Sequence, residues 1–386
     1  MKYNLNKIVM ELKPSGIRRF FDIAAENPEI ISLTVGEPDF VTPKHICDVA
    51  IKAIEDRKTH YTSNIGMLEL REEVANYVNR RFGAKYNPKS EIVITAGSSQ
   101  ALDSVCSVLI NEGDEVIIPA PYYVCYVADV RLPGGVEVPI ILDDKNKFKL
   151  TPEDLEKAIT PKSKVLFLNY PNNPTGAIMT HEELAKLVPI IKKHNLLVLS
   201  DEIYSELTYG RKHASFLEFP EMRENLVYVS GLSKSHAMTG WRLGFVCGPE
   251  EIMDEVAKVH QFAIMGASTI TQYAAVEALK NGDEDTAYMR DEYDKRRKYL
   301  LSRYDKMGLE CFEPEGAFYS FPSIKKFGIS SDEFVDRLIE EEKLAVVAGA
   351  AFGVAGEGHL RISYAYSIDR IKEGLDKLES FINKIK

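Results

Sequence analysis

The chain has 386 residues, 45% hydrophobic and 27% charged, an ordinary globular composition long enough for two or three domains. Its 48 Lys and Arg against 58 Asp and Glu leave a net charge of −10, which opposes a general nucleic-acid or membrane-surface binder. The longest stretch free of Asp, Glu, Lys, Arg and His, Gln261 to Val276, is too short and too polar to span a bilayer.

The segment MKYNLNKIVMELKPSG carries charge throughout and has no apolar signal region. Five cysteines without a Cys-x-x-Cys pair argue against a disulfide framework or a zinc site. Together these features lead us to expect a cytoplasmic protein with no metal. The first forty residues hold no strand–helix unit of their own. Next, SEIVITAG reads as a strand, SSQALDSVCSVLIN as a helix and GDEVIIPA as a strand. Thr151-Pro152 places proline at a first helical position. SKVLFLNYP is a strand, and Thr180 to Glu183 forms a capping box before the helix EELAKLVPIIKKHN. NLLVLSDEI and NLVYVSGLS follow as strands. Such runs, alternating with helices, predict an α/β domain with a mostly parallel central sheet over residues 46–283. The last hundred residues change character. A long charged helix leads into short strands around GAFYSFPSI and LRISYAYS, and an amphipathic helix closes the chain. Residues 284–386, joined by 1–45, are expected to form a smaller α+β domain.

Ligands of an open α/β sheet gather at the carboxyl ends of its strands, so the loops there carry the functional reading. Gly97-Ser98-Ser99 opens a helix and suits either a plain N-cap or an anion held by free N–H groups. Tyr170-Pro-Asn-Asn-Pro-Thr-Gly176 is a rigid turn. Asp201 ends a buried strand, where a carboxylate is costly without a positive partner. Lys234, flanked by Ser233 and Ser235, offers an amine for carbonyl chemistry, and Arg242 eight residues on could hold a phosphate bidentately. Each of these has a structural explanation when taken alone.

In series, YPNNPTG, SDEIYSELTY and GLSKSHAMTGWRLG resemble the fold type I pyridoxal-phosphate enzymes, specifically the class I aminotransferases of subgroup I-gamma. The resemblance runs from SLTVGEPDF to LRISYA. It implies pyridoxal 5'-phosphate as cofactor, carried covalently by Lys234, with Asp201 facing the pyridine nitrogen. It also implies that Tyr204 and Asn173 bond the ring oxygen and that Tyr123, in PAPYYVCY, stacks on the ring. The phosphate would lie against Gly97, Ser98, Ser99, Ser233 and Arg242, with Tyr61 reaching it from the other subunit of a homodimer. Arg361, in HLRIS, would bind the substrate α-carboxylate, helped by the backbone N–H of Gly36 and by Asn173. Arg18, in SGIRRF, reads either as a solvated helix charge or as an entrance residue for a distal acidic group. Ser99 stands where some aspartate-specific relatives have lysine, so no dedicated grip on an aspartate side chain is expected there.

The expected reaction moves an amino group between an L-amino acid (aspartate, aromatic or similar) and 2-oxoglutarate. Two alternatives use the same scaffold: an N-acetyl-LL-diaminopimelate aminotransferase and a C–S β-lyase. An effector-sensing transcription regulator is opposed by the acidic charge and by the short stretch ahead of TVGEPD.

Overall fold

The structure, a computed structural model, describes residues 3–14, 16–19 and 27–385. After a short helix α1 (Lys7–Glu11) and strand β1 (Ile31–Ser32), the chain enters α2 (Lys44–Glu55) and α3 (Leu68–Phe82). The main sheet is then built from β2 (Ile92–Thr95), β3 (Glu115–Ala120), β4 (Val136–Ile141), β5 (Ser163–Asn169), β6 (Leu197–Asp201), β7 (Leu226–Gly231) and β8 (Gly244–Cys247). Its helices up to β6 are α4 (Ser98–Leu109), α5 (Cys125–Arg131), α6 (Pro152–Ala158) and α7 (His181–Lys193), and α8 (Glu250–Ile264) follows β8. The strand order is β2-β8-β7-β6-β5-β3-β4.

Alternation of side chains along each strand divides this sheet into two apolar faces. Val116, Val165, Leu199 and Val227 share one face with Leu102 and Val105 of α4 and Val256 of α8. Ile117, Leu166, Val198 and Tyr228 share the other with Val74 of α3 and Leu187 of α7. Both faces are covered, which explains why these strands read as unbroken apolar runs.

The helix starts follow their capping chemistry. Thr151 accepts from Asp154 N with Pro152 at the first position of α6. At α7 the Thr180 hydroxyl accepts from Glu183 N, while the Glu183 carboxylate accepts from Thr180 N at 2.8 Å.

One strand departs from the parallel set. β8 is antiparallel to both β2 and β7. The connection from β7 has no crossover helix, only a short turn at Thr239–Trp241, and a parallel return needs a longer crossover. Gly244 lets this strand close on the α4 start, since a Cβ there would sit 2.5 Å from Ser98 N.

Beyond the sheet come α9 (Thr269–Asn281), α10 (Asp283–Met307), β9 (Tyr319–Ser320), α11 (Ser331–Glu342), β10 (Leu344–Ala345), β11 (Val347–Ala348), β12 (Leu360–Ser363) and α12 (Ile368–Ile385). β9, β11 and β12 make an antiparallel three-stranded sheet in the order β11-β12-β9, and β1 pairs in parallel with β10. The apolar stripe of α12, Ile371, Leu375, Leu378 and Ile382, is fully buried. Ser363 N donates to Leu33 O at 3.0 Å, so the segment after β1 runs beside β12. Among the described residues no helix is long and apolar enough to cross a membrane.

Candidate active site

A cavity of about 660 Å³ lies where the carboxyl ends of the central strands meet the segment after β1 and the three-stranded sheet. Asn169 and Asp201 end β5 and β6 and are paired in register. The side-chain amide of Asn169 donates to Asp201 O at 3.0 Å, while its oxygen accepts from Asn173 N at 3.0 Å. The end of the sheet is thereby tied to the proline-rich turn.

Asp201 is 4% exposed. Its carboxylate accepts from the Tyr126 hydroxyl at 2.7 Å and from Ile203 N at 3.1 Å. Burial pushes its pKa up to about 6, and these two donors oppose the rise. Lys234 follows β7 by three residues, and its ammonium donates to Gly36 O at 2.5 Å. Burial pulls its pKa down to about 8; Glu37 and Asp201 resist this, while Arg361 and Arg242 add to it. The site thus holds an amine that is easily made neutral and a carboxyl that lacks a direct cationic partner.

At the α4 end, Ser98 and Ser99 line the cavity and Gly97 sits just behind them. Gly97 has φ +88°, and a Cβ there would lie 2.7 Å from Arg242 Nη2, so only glycine allows the guanidinium to rest on this turn. Arg242 itself adopts φ +52° and donates to Thr239 O at 3.0 Å. A guanidinium beside a helix N-terminus is an anion cradle.

Arg361, on β12, is 2% exposed. It donates to Asn173 Oδ1 at 3.0 Å and to Thr34 O at 2.6 Å, but its Nε is buried without a partner. Its guanidinium lies 4.5 Å from the centre of the Tyr319 ring. The Tyr319 hydroxyl meets the Tyr204 hydroxyl at 2.8 Å, and burial keeps the Tyr204 phenol well above its ordinary pKa. A Cβ at Gly36 would fall 2.0 Å from the Tyr319 hydroxyl, so position 36 has no room for a side chain.

Of the residues singled out from the sequence, twelve line this cavity: Arg18, Gly36, Ser98, Ser99, Tyr123, Asn173, Asp201, Tyr204, Ser233, Lys234, Arg242 and Arg361. Arg18 lies at its exposed edge. Tyr61 does not reach the cavity of its own chain and stands 87% exposed. Sequence reasoning missed Tyr126, Tyr319 and Asn169. Tyr126 had a readable signal, because it closes PAPYYVCY three positions after Tyr123, in the first turn of α5. Tyr319 had none beyond its place in GAFYSF.

The family profile described as aminotransferase class I and II matches residues 28–378. The chain is 45% identical to a probable N-acetyl-LL-diaminopimelate aminotransferase of Bacillus subtilis, over all of this chain and 97% of that protein. It is 41% identical to aromatic-amino-acid aminotransferase 2 of Thermococcus litoralis, over 97% of each. Among solved structures, the aspartate aminotransferase from Thermus thermophilus with maleate superposes with a TM-score of 0.94 at 35% identity, covering 98% of this chain and all of that one. On these matches and the architecture that carries the cavity, the chain belongs to the class I and II aminotransferases, pyridoxal-5'-phosphate-dependent transaminases of fold type I.

Proposed function

We propose that the cavity holds the cofactor by its phosphate at the start of α4, where Gly97, Ser98, Ser99, Ser233 and Arg242 form the cup. The fit rests on the chemistry of the donors: a glycine-lined helix N-terminus beside a guanidinium for the phosphate, and a buried carboxylate at the far end for a protonated ring nitrogen. When bound, the cofactor supplies an electron sink for negative charge at the substrate Cα. Asp201 keeps the ring nitrogen protonated, Tyr204 and Asn173 bond the ring oxygen, and Tyr123 covers the ring face. Lys234 would hold the cofactor covalently, and its free amine would take the proton from the substrate Cα. A pKa of about 8 leaves a useful neutral fraction near neutral pH.

Arg361 binds the substrate α-carboxylate, with the Gly36 N–H and Asn173 beside it. The buried guanidinium of Arg361, which lines this cavity with no acidic partner among the described residues, is the observation that carries the amino-acid reading. Arg18, at the exposed edge, meets the distal group. The substrates are an L-amino acid (aspartate, aromatic or similar) and 2-oxoglutarate, exchanged in two half-reactions. The 45% identity to a probable N-acetyl-LL-diaminopimelate aminotransferase supports a second reading, an N-acetyl-diaminopimelate donor.

Tyr61 serves the neighbouring subunit of a homodimer. Its own exposure supports this, as do exposed Val41, Ile51, Ile54 and Phe262. Val41, Ile51 and Ile54 line an open apolar groove of about 1110 Å³ that ends at Trp241 and Arg242. The same reading divides the chain into a large cofactor-holding domain, 46–283, and a small domain of 1–45 and 284–386 that carries Arg361. It places the enzyme in the cytoplasm.

A half-reaction panel tests the substrates: holoenzyme is mixed with single amino acids and conversion to pyridoxamine phosphate is followed. An aminotransferase stops after one equivalent. A C–S β-lyase keeps turning over and releases ammonia with a keto acid, and that result would replace the present reading.

A further inference from the structure

Tyr126, the last residue of PAPYYVCY, has been given no role so far, yet among the described residues it makes the only side-chain hydrogen bond to the Asp201 carboxylate. Both groups are buried, Tyr126 at 1% exposure and Asp201 at 4%. The phenol ring is held in place: it packs on Phe167 with centroids 4.2 Å apart and meets the edge of Tyr123 at 5.8 Å. The Tyr122 ring lies 6.4 Å away, and with three ring neighbours and one hydroxyl partner Tyr126 has little freedom to turn away. The Asp201 carboxylate, in turn, has two donors, Tyr126 on one oxygen and Ile203 N–H on the other.

We propose that Tyr126 is the positioning residue for Asp201: its hydroxyl fixes the orientation of the carboxylate and favours the ionised form that a protonated ring nitrogen requires. This rests on the reading of Asp201 as the group facing that nitrogen. Hydrogen bonding to an ionised carboxylate favours ionisation, and burial opposes it. Burial is the larger influence at Asp201 and has already brought it to about 6. Other charges also act on this carboxyl. Glu202, the next residue after the strand, raises its pKa and Lys234 across the cavity lowers it. Asp129 on α5 and Asp201 act on each other as like charges. The phenols of Tyr123 and Tyr204 stay neutral, because burial raises both. Asn169 contributes no charge. Tyr126 is therefore the only side-chain hydrogen-bond donor to the carboxylate among the described residues, and removing its hydroxyl leaves one backbone N–H against the burial.

The test uses the full chain as holoenzyme and after cofactor removal. Infrared difference titration, with Asp201→Asn as the reference lacking the carboxyl band, reads the Asp201 midpoint in the cofactor-free protein. Tyr126→Phe keeps the ring on Phe167 and is expected to raise that midpoint by about one to two pH units. 3-Fluorotyrosine incorporated at position 126 is a stronger acid and a better donor, and is expected to lower it. It keeps the hydroxyl and the shape, so it decides the question even if the Phe variant folds poorly. In the holoenzyme, Tyr126→Phe should slow the half-reaction by about tenfold or more and move the acid limb of its pH profile upward, with little change in KM. A merely structural role predicts neither the opposite shifts nor the displaced profile. An unmoved Asp201 midpoint in both variants overturns the proposal, as does a normal pH profile in Tyr126→Phe. A near-normal half-reaction in Asp201→Asn points elsewhere: it breaks the functional reading of Asp201, while the two opposite titration shifts would still establish the Tyr126 contact.

Discussion

At the seven-stranded sheet, eight of the cavity residues stand at a strand end or within four positions after one: Ser98 and Ser99 after β2, Tyr123 after β3, Asn169 and Asn173 at β5, Asp201 and Tyr204 at β6, Lys234 after β7. The three-stranded sheet works differently. Arg361 and Tyr319 lie within strands β12 and β9, and they reach the cavity because alternate side chains of a strand face opposite ways. Arg361 finds its partners Asn173 and Thr34 at 188 and 327 positions away along the chain. The first region offers short local motifs on one rigid edge; the second adds single side chains across a long sequence gap. In our reading the two also divide the chemistry. The sheet edge serves the cofactor and acts on every substrate alike, whereas the small sheet recognises what all amino-acid substrates share.

Substitutions can break or sharpen that division. Lys234→Ala should have the largest effect, a fall in half-reaction rate on the order of 10⁴-fold for every amino acid. Borohydride reduction of the wild-type holoenzyme with peptide mapping should label Lys234, and a label on another lysine removes the assignment. Asp201→Asn should lower kcat by about 10²–10³-fold while the cofactor stays bound, measured by turnover beside cofactor content. Both losses should be equal across amino acids.

Arg361→Ala tests the other region. Losing one partner of a buried charge pair costs on the order of 2–5 kcal/mol, or roughly thirtyfold to several thousandfold in kcat/KM. Amino acids should all suffer, and amines lacking a carboxylate should be little affected. If glutamate alone is lost and aromatic amino acids are retained, Arg361 reads the side chain and the division fails.

A smaller effect is expected from subunit exchange. Tyr61→Phe mixed with Lys234→Ala should give hybrid dimers with one intact site, so activity should rise above that of the unexchanged mixture. No gain on exchange means that Tyr61 is not shared across subunits.

The smallest effect is one of stability. Burial raises the Asp201 carboxyl from 3.8 to about 6 in the folded chain. Its contribution to stability is therefore full below pH 3.8 and is lost as pH rises through about 6. Cofactor-free Asp201→Asn should match the wild type near pH 3.5 and exceed it by up to about 3 kcal/mol at pH 8. Urea melts at the two pH values measure the difference, and a constant gap would show that the carboxyl is not strained by burial.

The strand runs, the capping boxes and the loop motifs were legible in the sequence because each depends on neighbours a few positions away. Apolar runs report burial on both faces, Thr180 and Glu183 cap the same turn, and Gly97, Asp201 and Lys234 sit beside the strands that carry them. The antiparallel course of β8 was not legible, because a four-residue strand reads the same in either direction and only its neighbours set its sense. Tyr319 and Asn169 were likewise hidden: each matters through a contact made far along the chain, Tyr319 with Tyr204 and the space over Gly36, Asn169 with Asp201. Arg361 became a binding candidate only by resemblance, since an arginine in a strand pairs as often with surface acid. Tertiary structure decided its environment by burying the guanidinium against Tyr319 and leaving its Nε without a partner. Local sequence encodes hydrogen bonds and periodicity within a turn or a strand, whereas burial and charge balance at a site depend on what the rest of the chain folds over it.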